Sequence, residues 1–397
     1  MAHSPIPEAD MKPLYLDYAA TTPCAPEVAD VITRCLTADG NFANPASRSH
    51  RFGWQAEQAV EQARRQVADM LGADPREIVW TSGATESNNL AIKGRVEYLR
   101  QQNPDAPLHI ITSAIEHKAV LDTVAWLERW HQVSVTRLAP DADGLIHPEQ
   151  VADALQPDTC LVSLMAVNNE LGTVTDIPAI AALLKSHDAI LHVDAAQAIG
   201  KMPVDVRTWD VDLLSVSAHK FYGPKGVGAL YVRREPQIRI AAQMHGGGHE
   251  RGMRSGTLAT HQLAGMGEAA RLVTEQVEQD QARIGALRDQ LWQGLQALGE
   301  VYLNGHGTQR CANHLNVSFA GVDGEILLAS LAKVAVSSGS ACNSESVEPS
   351  YVLKAIGRSD DLAHAGLRMT LGRYTSSADV ENALAEITRV VTLLRRQ

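Results

Sequence analysis

The chain has 397 residues, more than one hydrophobic core usually organises, so two domains are expected. Hydrophobic residues make up 45% of it and charged residues 20%, as is ordinary for a soluble globular protein. The formal net charge of -11, without a long basic run, argues against direct nucleic-acid binding, and no apolar run is long enough to cross a bilayer. We therefore expect a cytoplasmic protein.

Short apolar runs alternate with helical patterns over residues 78–232. The strand candidates are 78–81, 109–112, 133–138, 161–167, 190–194, 213–217 and 228–232, and helical patterns follow several of them, as at 86–100 and 119–131. This alternation predicts an α/β domain with a mainly parallel, seven-stranded sheet covered by helices. The last two candidates are joined by a connection too short for a crossover helix, so they are predicted to be antiparallel.

The pattern changes after residue 256. A long amphipathic helical pattern covers 262–298, and the sequence leaves open whether it is continuous or broken once. Short strands (301–303, 316–319, 334–337 and 367–371) then mix with helices (325–331 and 378–395), which predicts a second, smaller α+β domain. We assign 18–272 to the large domain, and 273–397 together with 1–17 to the small one.

One cysteine stands out from the others. The chain has five, an odd number without a C-x-x-C pair, so neither a disulfide framework nor a zinc knuckle is expected: Cys24, Cys35, Cys160, Cys311 and Cys342. Cys342 lies in the segment Ser-Ser-Gly-Ser-Ala-Cys-Asn-Ser at 337–344. Small residues can present a thiol that acts as a nucleophile, whereas a cysteine that only packs rarely needs such neighbours.

Polar clusters follow several strand candidates, where open α/β sheets bind their ligands. The stretch 81–88, with Ala84 and Thr85, ends a strand and begins a helix, whose free N–H groups suit a phosphate. A simple helix cap is the alternative, and taken alone the commoner one. Asp194 ends another strand, where a carboxylate could either hold a proton on a pyridine nitrogen or cap a helix.

A lysine follows the next strand. Lys220 comes after Ser217 and His219, and an amine placed there could form a Schiff base. A lone lysine is nearly always a solvated surface charge, but a position at a strand end beside a histidine favours an amine that forms a Schiff base.

Three more polar residues have candidate roles. His117 could stack on a planar cofactor and act as a catalytic residue that shuttles protons, Asn169 could bond a ring hydroxyl, and Arg368 could bind a carboxylate through two N–H donors at once. The alternatives are a structural histidine, a turn asparagine and a surface ion pair.

The glycine-rich segment 245–257 carries cationic and hydroxyl side chains, which suit a ligand site. The alternative is a flexible connector between domains. A metal site built from His245, His249, His192 and Asp194 ranks low, because three consecutive glycines are a poor platform for ligands and no H-E-x-x-H appears.

Taken in order along the chain, these segments resemble the cysteine desulfurases, a branch of the class V aminotransferase-like, fold type I pyridoxal-phosphate enzymes. The likeness begins at Tyr-Leu-Asp-Tyr-Ala-Ala-Thr-Thr-Pro (15–23) and runs almost to the C-terminus, through Asn-Pro-Ala-Ser (44–47), Glu-His-Lys-Ala-Val (116–120) and Tyr-Gly-Pro-Lys-Gly (222–226). It is closest to the housekeeping branch, which feeds iron–sulfur cluster assembly.

The resemblance implies a pyridoxal 5'-phosphate cofactor and a role for each matching position. Lys220 would bind the cofactor covalently and remove the Cα proton. Arg368, together with Asn169, would bind the substrate L-cysteine, and the Cys342 thiolate would take its sulfur as a persulfide while alanine leaves. The other cofactor contacts would be Ala84, Thr85, Ser217 and His219 at the phosphate, and His117, Asn169, Asp194 and Gln197 at the ring.

The resemblance also implies partners. Thr257 would reach the phosphate of a second subunit, so a homodimer is expected. The persulfide sulfur would pass to an iron–sulfur scaffold protein and to other acceptors, including those for tRNA thiolation. No metal is expected in the site. A selenocysteine lyase, plain β-elimination and a non-catalytic sulfur-transfer scaffold remain alternatives.

The sequence departs from the family pattern at a few positions. Ala218 stands where glycine is usual, Asn343 where a small hydroxyl residue is common, and Ala166 where a histidine is often found. The sequence stops at Gln397 without the tail that many housekeeping members carry, from which we expect weaker binding to the scaffold.

Overall fold

The computed structural model describes residues 12–338 and 349–396, so Cys342 and Asn343 lie outside the described residues. The strands of this part are β1 (Leu14–Tyr15), β2 (Ile78–Thr81), β3 (His109–Ser113), β4 (Ser134–Leu138), β5 (Thr159–Met165), β6 (Ile190–Asp194), β7 (Leu213–Ser217), β8 (Gly228–Val232), β9 (Val301–Leu303), β10 (His314–Phe319), β11 (Val334–Ala335) and β12 (Gly366–Thr370). The α-helices are α1 (Pro26–Thr33), α2 (Arg51–Leu71), α3 (Ala84–Gln102), α4 (Lys118–His131), α5 (Pro148–Ala154), α6 (Ile177–Leu184), α7 (Thr260–Gln296), α8 (Gly324–Ser330), α9 (Tyr351–Ala355), α10 (Asp360–His364) and α11 (Ser377–Leu394). Among the described helices, none has the length and apolar character needed to cross a membrane.

The larger sheet has seven strands in the order β2-β8-β7-β6-β5-β3-β4. The pairs from β7 to β4 are parallel, whereas β7–β8 and β8–β2 are antiparallel. The prediction of a mainly parallel seven-stranded α/β sheet with an antiparallel last pair is therefore confirmed. Strand β5 starts and ends two residues earlier than predicted, because Val167 leaves the sheet and bridges Val174 instead.

The central strands are buried along their whole length, as parallel strands covered by helices on both faces must be. Their polar side chains satisfy one another. His192, in β6, bonds Ser163 in β5 at 2.8 Å through Nδ1 and Ser215 in β7 at 2.9 Å through Nε2. Both ring nitrogens are thus occupied, which removes His192 from the alternative metal site.

A second core surrounds the smaller antiparallel sheet β12-β10-β9 and the parallel pair β1–β11. Helix α7 is continuous, so the break left open by the sequence does not occur. Its first part packs in the core of the large sheet through Leu263 and Met266, and its second part packs in the smaller core through Leu291 and Leu295. The predicted division at 272/273 falls inside this helix and stays a prediction.

The parallel strands β3, β5, β6 and β7 end at one edge of the large sheet. His117 caps the start of helix α4 and lies four residues after the end of β3, and Asn169 lies four residues after the end of β5. Asp194 and Ser217 are the last residues of β6 and β7. The topology therefore gathers polar residues that lie far apart in the sequence.

Candidate active site

A cavity of about 480 Å³ lies at this carboxyl edge. The cofactor and substrate residues predicted within one subunit all line it: Ala84, Thr85, His117, Asn169, Asp194, Gln197, Ser217, His219, Lys220 and Arg368. Thr257, which was predicted to serve a second subunit, is not among the described residues that line the cavity. Cys342 lies outside the described residues.

Asp194 is held in place by two donors. Its Oδ2 accepts a hydrogen bond of 2.7 Å from Nδ2 of Asn88, and its Oδ1 accepts one of 2.9 Å from the backbone N–H of Ala196. Asn88 belongs to the stretch 81–88 but was not predicted as a site residue. The sequence did contain a signal for Asn88, because it follows the predicted site residue Ala84 by four residues and residues four apart share a face of a helix.

Lys220 ends a short 3-10 turn, Ala218–Lys220, directly after β7. Its Nζ donates to the backbone carbonyls of Ala19 at 2.6 Å and Ala20 at 2.9 Å. Neighbouring His219 bonds Oγ1 of Thr21 through Nδ1 at 3.1 Å. Burial, followed by the positive charge of Lys220, lowers the pKa of His219 to about 4, so its imidazole is neutral at neutral pH.

The N-terminus of α3 forms one end of the cavity. Gly83 precedes it with a φ of 152°, a conformation that side chains disfavour. A Cβ on residue 228 would lie 2.6 Å from Cα of Gly83, so β8 can approach the turn this closely only because residue 228 is glycine. Arg254, in the glycine-rich segment, pairs with Glu86 at 2.8 Å and ties that segment to this end of the cavity.

His117 and Glu116 lie where α4 begins. Nδ1 of His117 accepts a hydrogen bond of 3.1 Å from the N–H of Ala119, which fixes the plane of the ring at the cavity. Glu116 is buried, and Oε1 accepts from Ser113 and from the backbone of Met165. Burial raises the pKa of Glu116 to about 8, so this carboxyl carries a proton at neutral pH.

Arg368 reaches the cavity from β12 of the smaller sheet. Its Nη1 donates to the carbonyl of Asn169 at 2.9 Å, and its Nη2 donates to Oδ1 of Asp17 at 2.8 Å. Asp17, which was not predicted as a site residue, also accepts from the hydroxyl of Ser337 at 2.8 Å. Arg368 thus has an acidic partner and a fixed orientation.

Three buried polar atoms beside the cavity have no hydrogen-bond partner among the described residues: Oδ1 of Asn88, Oδ1 of Asn169 and Nε of Arg368. Buried polar atoms are normally satisfied, so such a group marks a place for a ligand. Pyridoxal phosphate needs an amine, an acid facing its ring nitrogen and backbone donors for its phosphate. Lys220, Asp194 and the start of α3 meet these needs, so the residues present fit this cofactor.

The four described cysteines do not have the surroundings expected of a nucleophilic thiol. Cys35, Cys160 and Cys311 are buried, Cys24 is exposed, and all four are free thiols. Burial raises the pKa of Cys160 and of Cys311 to about 11, so both stay protonated at neutral pH. A protonated thiol is a poor nucleophile, so neither is suited to accept sulfur.

Comparisons with known proteins agree with the resemblance seen in the sequence. The family model described as "Aminotransferase class-V" matches residues 14–383. A protein named "Cysteine desulfurase IscS", from Acinetobacter baumannii (strain AYE), is 58% identical over 385 residues, which cover 97% of this chain and 94% of the relative.

Two solved structures extend the agreement to the fold. The one named "NIFS-LIKE PROTEIN" has a TM-score of 0.88 and 33% identity, over 96% of this chain and 100% of its own. The one named "SspA in complex with cysteine" has a TM-score of 0.78 and 41% identity, over 91% of this chain and 99% of its own. The chain therefore belongs to the class-V aminotransferase family and, within it, to the pyridoxal-phosphate-dependent cysteine desulfurases.

Proposed function

We propose that this protein removes sulfur from L-cysteine in the cavity described above and passes it on as a persulfide of Cys342. The observation that carries the proposal is the meeting of Lys220, Asp194 and Arg368 around one cavity, from the turn after β7, from β6 and from β12. A relative of 58% identity named for this activity and a solved relative in complex with cysteine support the choice of substrate.

Arg368 is the proposed binding site for the substrate carboxylate. A guanidinium binds a carboxylate through two parallel N–H donors, and its Nε is buried at the cavity without a partner among the described residues. The ion pair with Asp17 and the bond to the Asn169 carbonyl hold the guanidinium plane before substrate arrives. Such prior positioning reduces the entropy lost on binding.

When bound, pyridoxal phosphate supplies an electron sink for the electron pair left on Cα after deprotonation. Asp194 would keep a proton on the ring nitrogen, and Asn88 and Ala196 hold the carboxylate in place. Lys220 would hold the cofactor covalently and then accept the Cα proton. His117 would cover the ring face, while Gln197 and Asn169 would bond the ring hydroxyl.

The sulfur step is assigned to Cys342 from the sequence alone. Its thiolate would attack the substrate sulfur, so that an S–S bond forms as the Cβ–S bond breaks, and alanine leaves. The high pKa values that burial gives Cys160 and Cys311 argue against either of them as the acceptor.

We also propose a homodimer, since the surface of a single chain exposes aromatic side chains close together. Phe42, Phe52 and Trp54 are each more than half exposed, and the rings of Phe42 and Phe52 lie 5.9 Å apart. Grouped apolar side chains of this size usually mark an interface. Thr257 would then contact the cofactor of the neighbouring subunit. Sedimentation velocity tests whether the protein is a dimer.

The persulfide sulfur is proposed to pass, in the cytoplasm, to an iron–sulfur scaffold protein and to acceptors for tRNA thiolation. The activity itself is tested with purified holoenzyme and L-cysteine, by measuring alanine and protein-bound persulfide, with L-selenocysteine in parallel. Stoichiometric alanine and persulfide are expected. Release of selenium from selenocysteine without turnover of cysteine would favour a selenocysteine lyase instead.

A further inference from the structure

A second lysine is buried behind the cavity. Lys201, seven residues after the end of β6, is only 8% exposed. Its Nζ donates a hydrogen bond to Oε1 of Gln197, one helical turn earlier in the chain. Lysine is almost never buried this deeply unless its ammonium group has a specific partner.

A continuous series of hydrogen bonds joins this lysine to Lys220. Nε2 of Gln197 donates to the carbonyl of Ala19 at 2.9 Å, and Nζ of Lys220 donates to the same carbonyl at 2.6 Å. Because Lys201 occupies the oxygen end of the Gln197 amide, the nitrogen end must face Ala19 and the cavity. That nitrogen carries two N–H groups, so one remains for a cavity ligand.

The surroundings of Lys201 are mainly positive or neutral. No carboxylate forms an ion pair with it within residues 12–338 and 349–396. Burial, followed by the positive charge of Lys220, lowers the pKa of Lys201 to about 7, with Cys311 opposing and Arg368 adding to the shift. The titratable and charged groups that interact with it are Lys220, Cys311, Arg368, His219 and His314.

We propose that Lys201 is a positioning residue of this active site, which orients the Gln197 amide toward the cavity and, through the Ala19 carbonyl, positions the free amine of Lys220 before the cofactor binds. The inference rests on the proposed function of Gln197 and Lys220. Protonated or neutral, the Lys201 amine can donate to Oε1, so the orientation persists across neutral pH. Its charge, when present, disfavours a second positive charge on the nearby nitrogen of Lys220.

The test separates the hydrogen bond from the charge. Lys201→Met removes both, whereas Lys201→Gln keeps a donor and removes the charge. In holoenzyme, the pH midpoint of the visible absorbance change should move upward in both variants, because a neighbouring positive charge is lost. Cofactor affinity, measured by titrating apoprotein, should fall about tenfold in Lys201→Met and recover largely in Lys201→Gln.

A double-mutant cycle tests the route through Gln197. If Lys201 acts through that amide, adding Lys201→Met to Gln197→Leu should weaken cofactor binding no further than Gln197→Leu alone. Additive losses would overturn the inference, and so would a wild-type affinity or an unmoved midpoint in Lys201→Met. Should Lys201→Met fail to fold by circular dichroism, an unmoved midpoint in Lys201→Gln overturns it equally.

A matched control is available in Lys185, an exposed lysine that pairs with Asp210 at 3.4 Å and does not line the cavity. Lys185→Met should keep both the affinity and the midpoint. Alanine release by the wild type is followed in the same series. An inactive wild type would contradict the proposed function, whereas an active wild type with unaffected Lys201 variants would contradict only the role of Lys201.

Discussion

Asn88 donates a 2.7 Å hydrogen bond to the carboxylate of Asp194, and both side chains are buried although their positions in the sequence are 106 apart. The bond joins the helix at one end of the cavity to the strand that carries the proposed partner of the ring nitrogen. It therefore links two parts of the proposed cofactor site that the sequence presents separately.

Replacing Asn88 by alanine should weaken cofactor binding. The change removes one of two donors to Asp194, and loss of a buried hydrogen bond to a charged group costs about 1.5–3 kcal/mol. We expect an affinity for pyridoxal phosphate lower by about tenfold to a hundredfold, measured by absorbance titration of apoprotein. Asn89→Ala, next along the same helix, removes only a bond to the Thr85 carbonyl and should bind normally. Equal affinities of the two variants would show that Asn88 does not support Asp194.

Lys220→Ala should abolish the borohydride-reducible bond to the cofactor. Lys220 is the proposed attachment site, and its Nζ lies at the cavity edge, held by the Ala19 and Ala20 carbonyls. Mass spectrometry after reduction should find the label on Lys220 in the wild type and nowhere in the variant. Lys225, which also lines the cavity, provides the control, since Lys225→Ala should keep the bond. A label that persists in Lys220→Ala would assign attachment to another lysine.

Cys342→Ser should separate substrate binding from sulfur transfer. Cofactor loading and the spectral change on adding cysteine should be normal, because Lys220 and Arg368 are proposed to serve those steps. Persulfide should be absent and alanine release nearly so, because a serine hydroxyl does not replace the thiolate. Cys24→Ser, at the exposed cysteine, should behave as the wild type. Alanine release at the wild-type rate from Cys342→Ser would instead favour plain elimination.

Glu116 should make the protein less stable as the pH rises. Burial raises its pKa from 4.5 to about 8, so between these values the folded protein holds a proton that the unfolded chain has released. Its contribution to the free energy of unfolding is present below the lower value and is lost as the pH rises through the upper one. The Tm of wild-type protein should therefore fall relative to that of Glu116→Gln between about pH 5 and about pH 8. Glu97→Gln, at an exposed position of α3, should track the wild type, and a constant difference for Glu116→Gln would contradict the assignment.

The parts of the site that the sequence predicted are those placed by local signals. Asp194 and Ser217 end apolar runs, and Lys220 comes three residues after Ser217. Because strand ends in a parallel sheet converge, their meeting could be foreseen. The contacts that support them depend on packing between distant segments. Nothing near Lys220 in the sequence indicates that the Ala19 and Ala20 carbonyls will accept from it, nor that Asp17 will pair with Arg368.

The burial of Lys201 was even harder to predict from the sequence. In the sequence it stands among ordinary turn residues, where a lysine is almost always solvated. Only the three-dimensional packing shows that it is buried and bonded to Gln197. The four-residue spacing of Gln197 and Lys201 was the one local signal that could have suggested a contact.

The smaller core joins segments that lie far apart in the sequence. Leu16 packs in it with Val380, Ile387 and Val391 of α11, and Asp17 pairs with Arg368. During synthesis this core cannot close until α11 has left the ribosome, whereas the strands of the large sheet are all made by residue 232. A nascent chain therefore cannot form the Arg368–Asp17 ion pair until residue 368 has been synthesised. The proposed binding site for the substrate carboxylate thus forms later in synthesis than the strands of the large sheet.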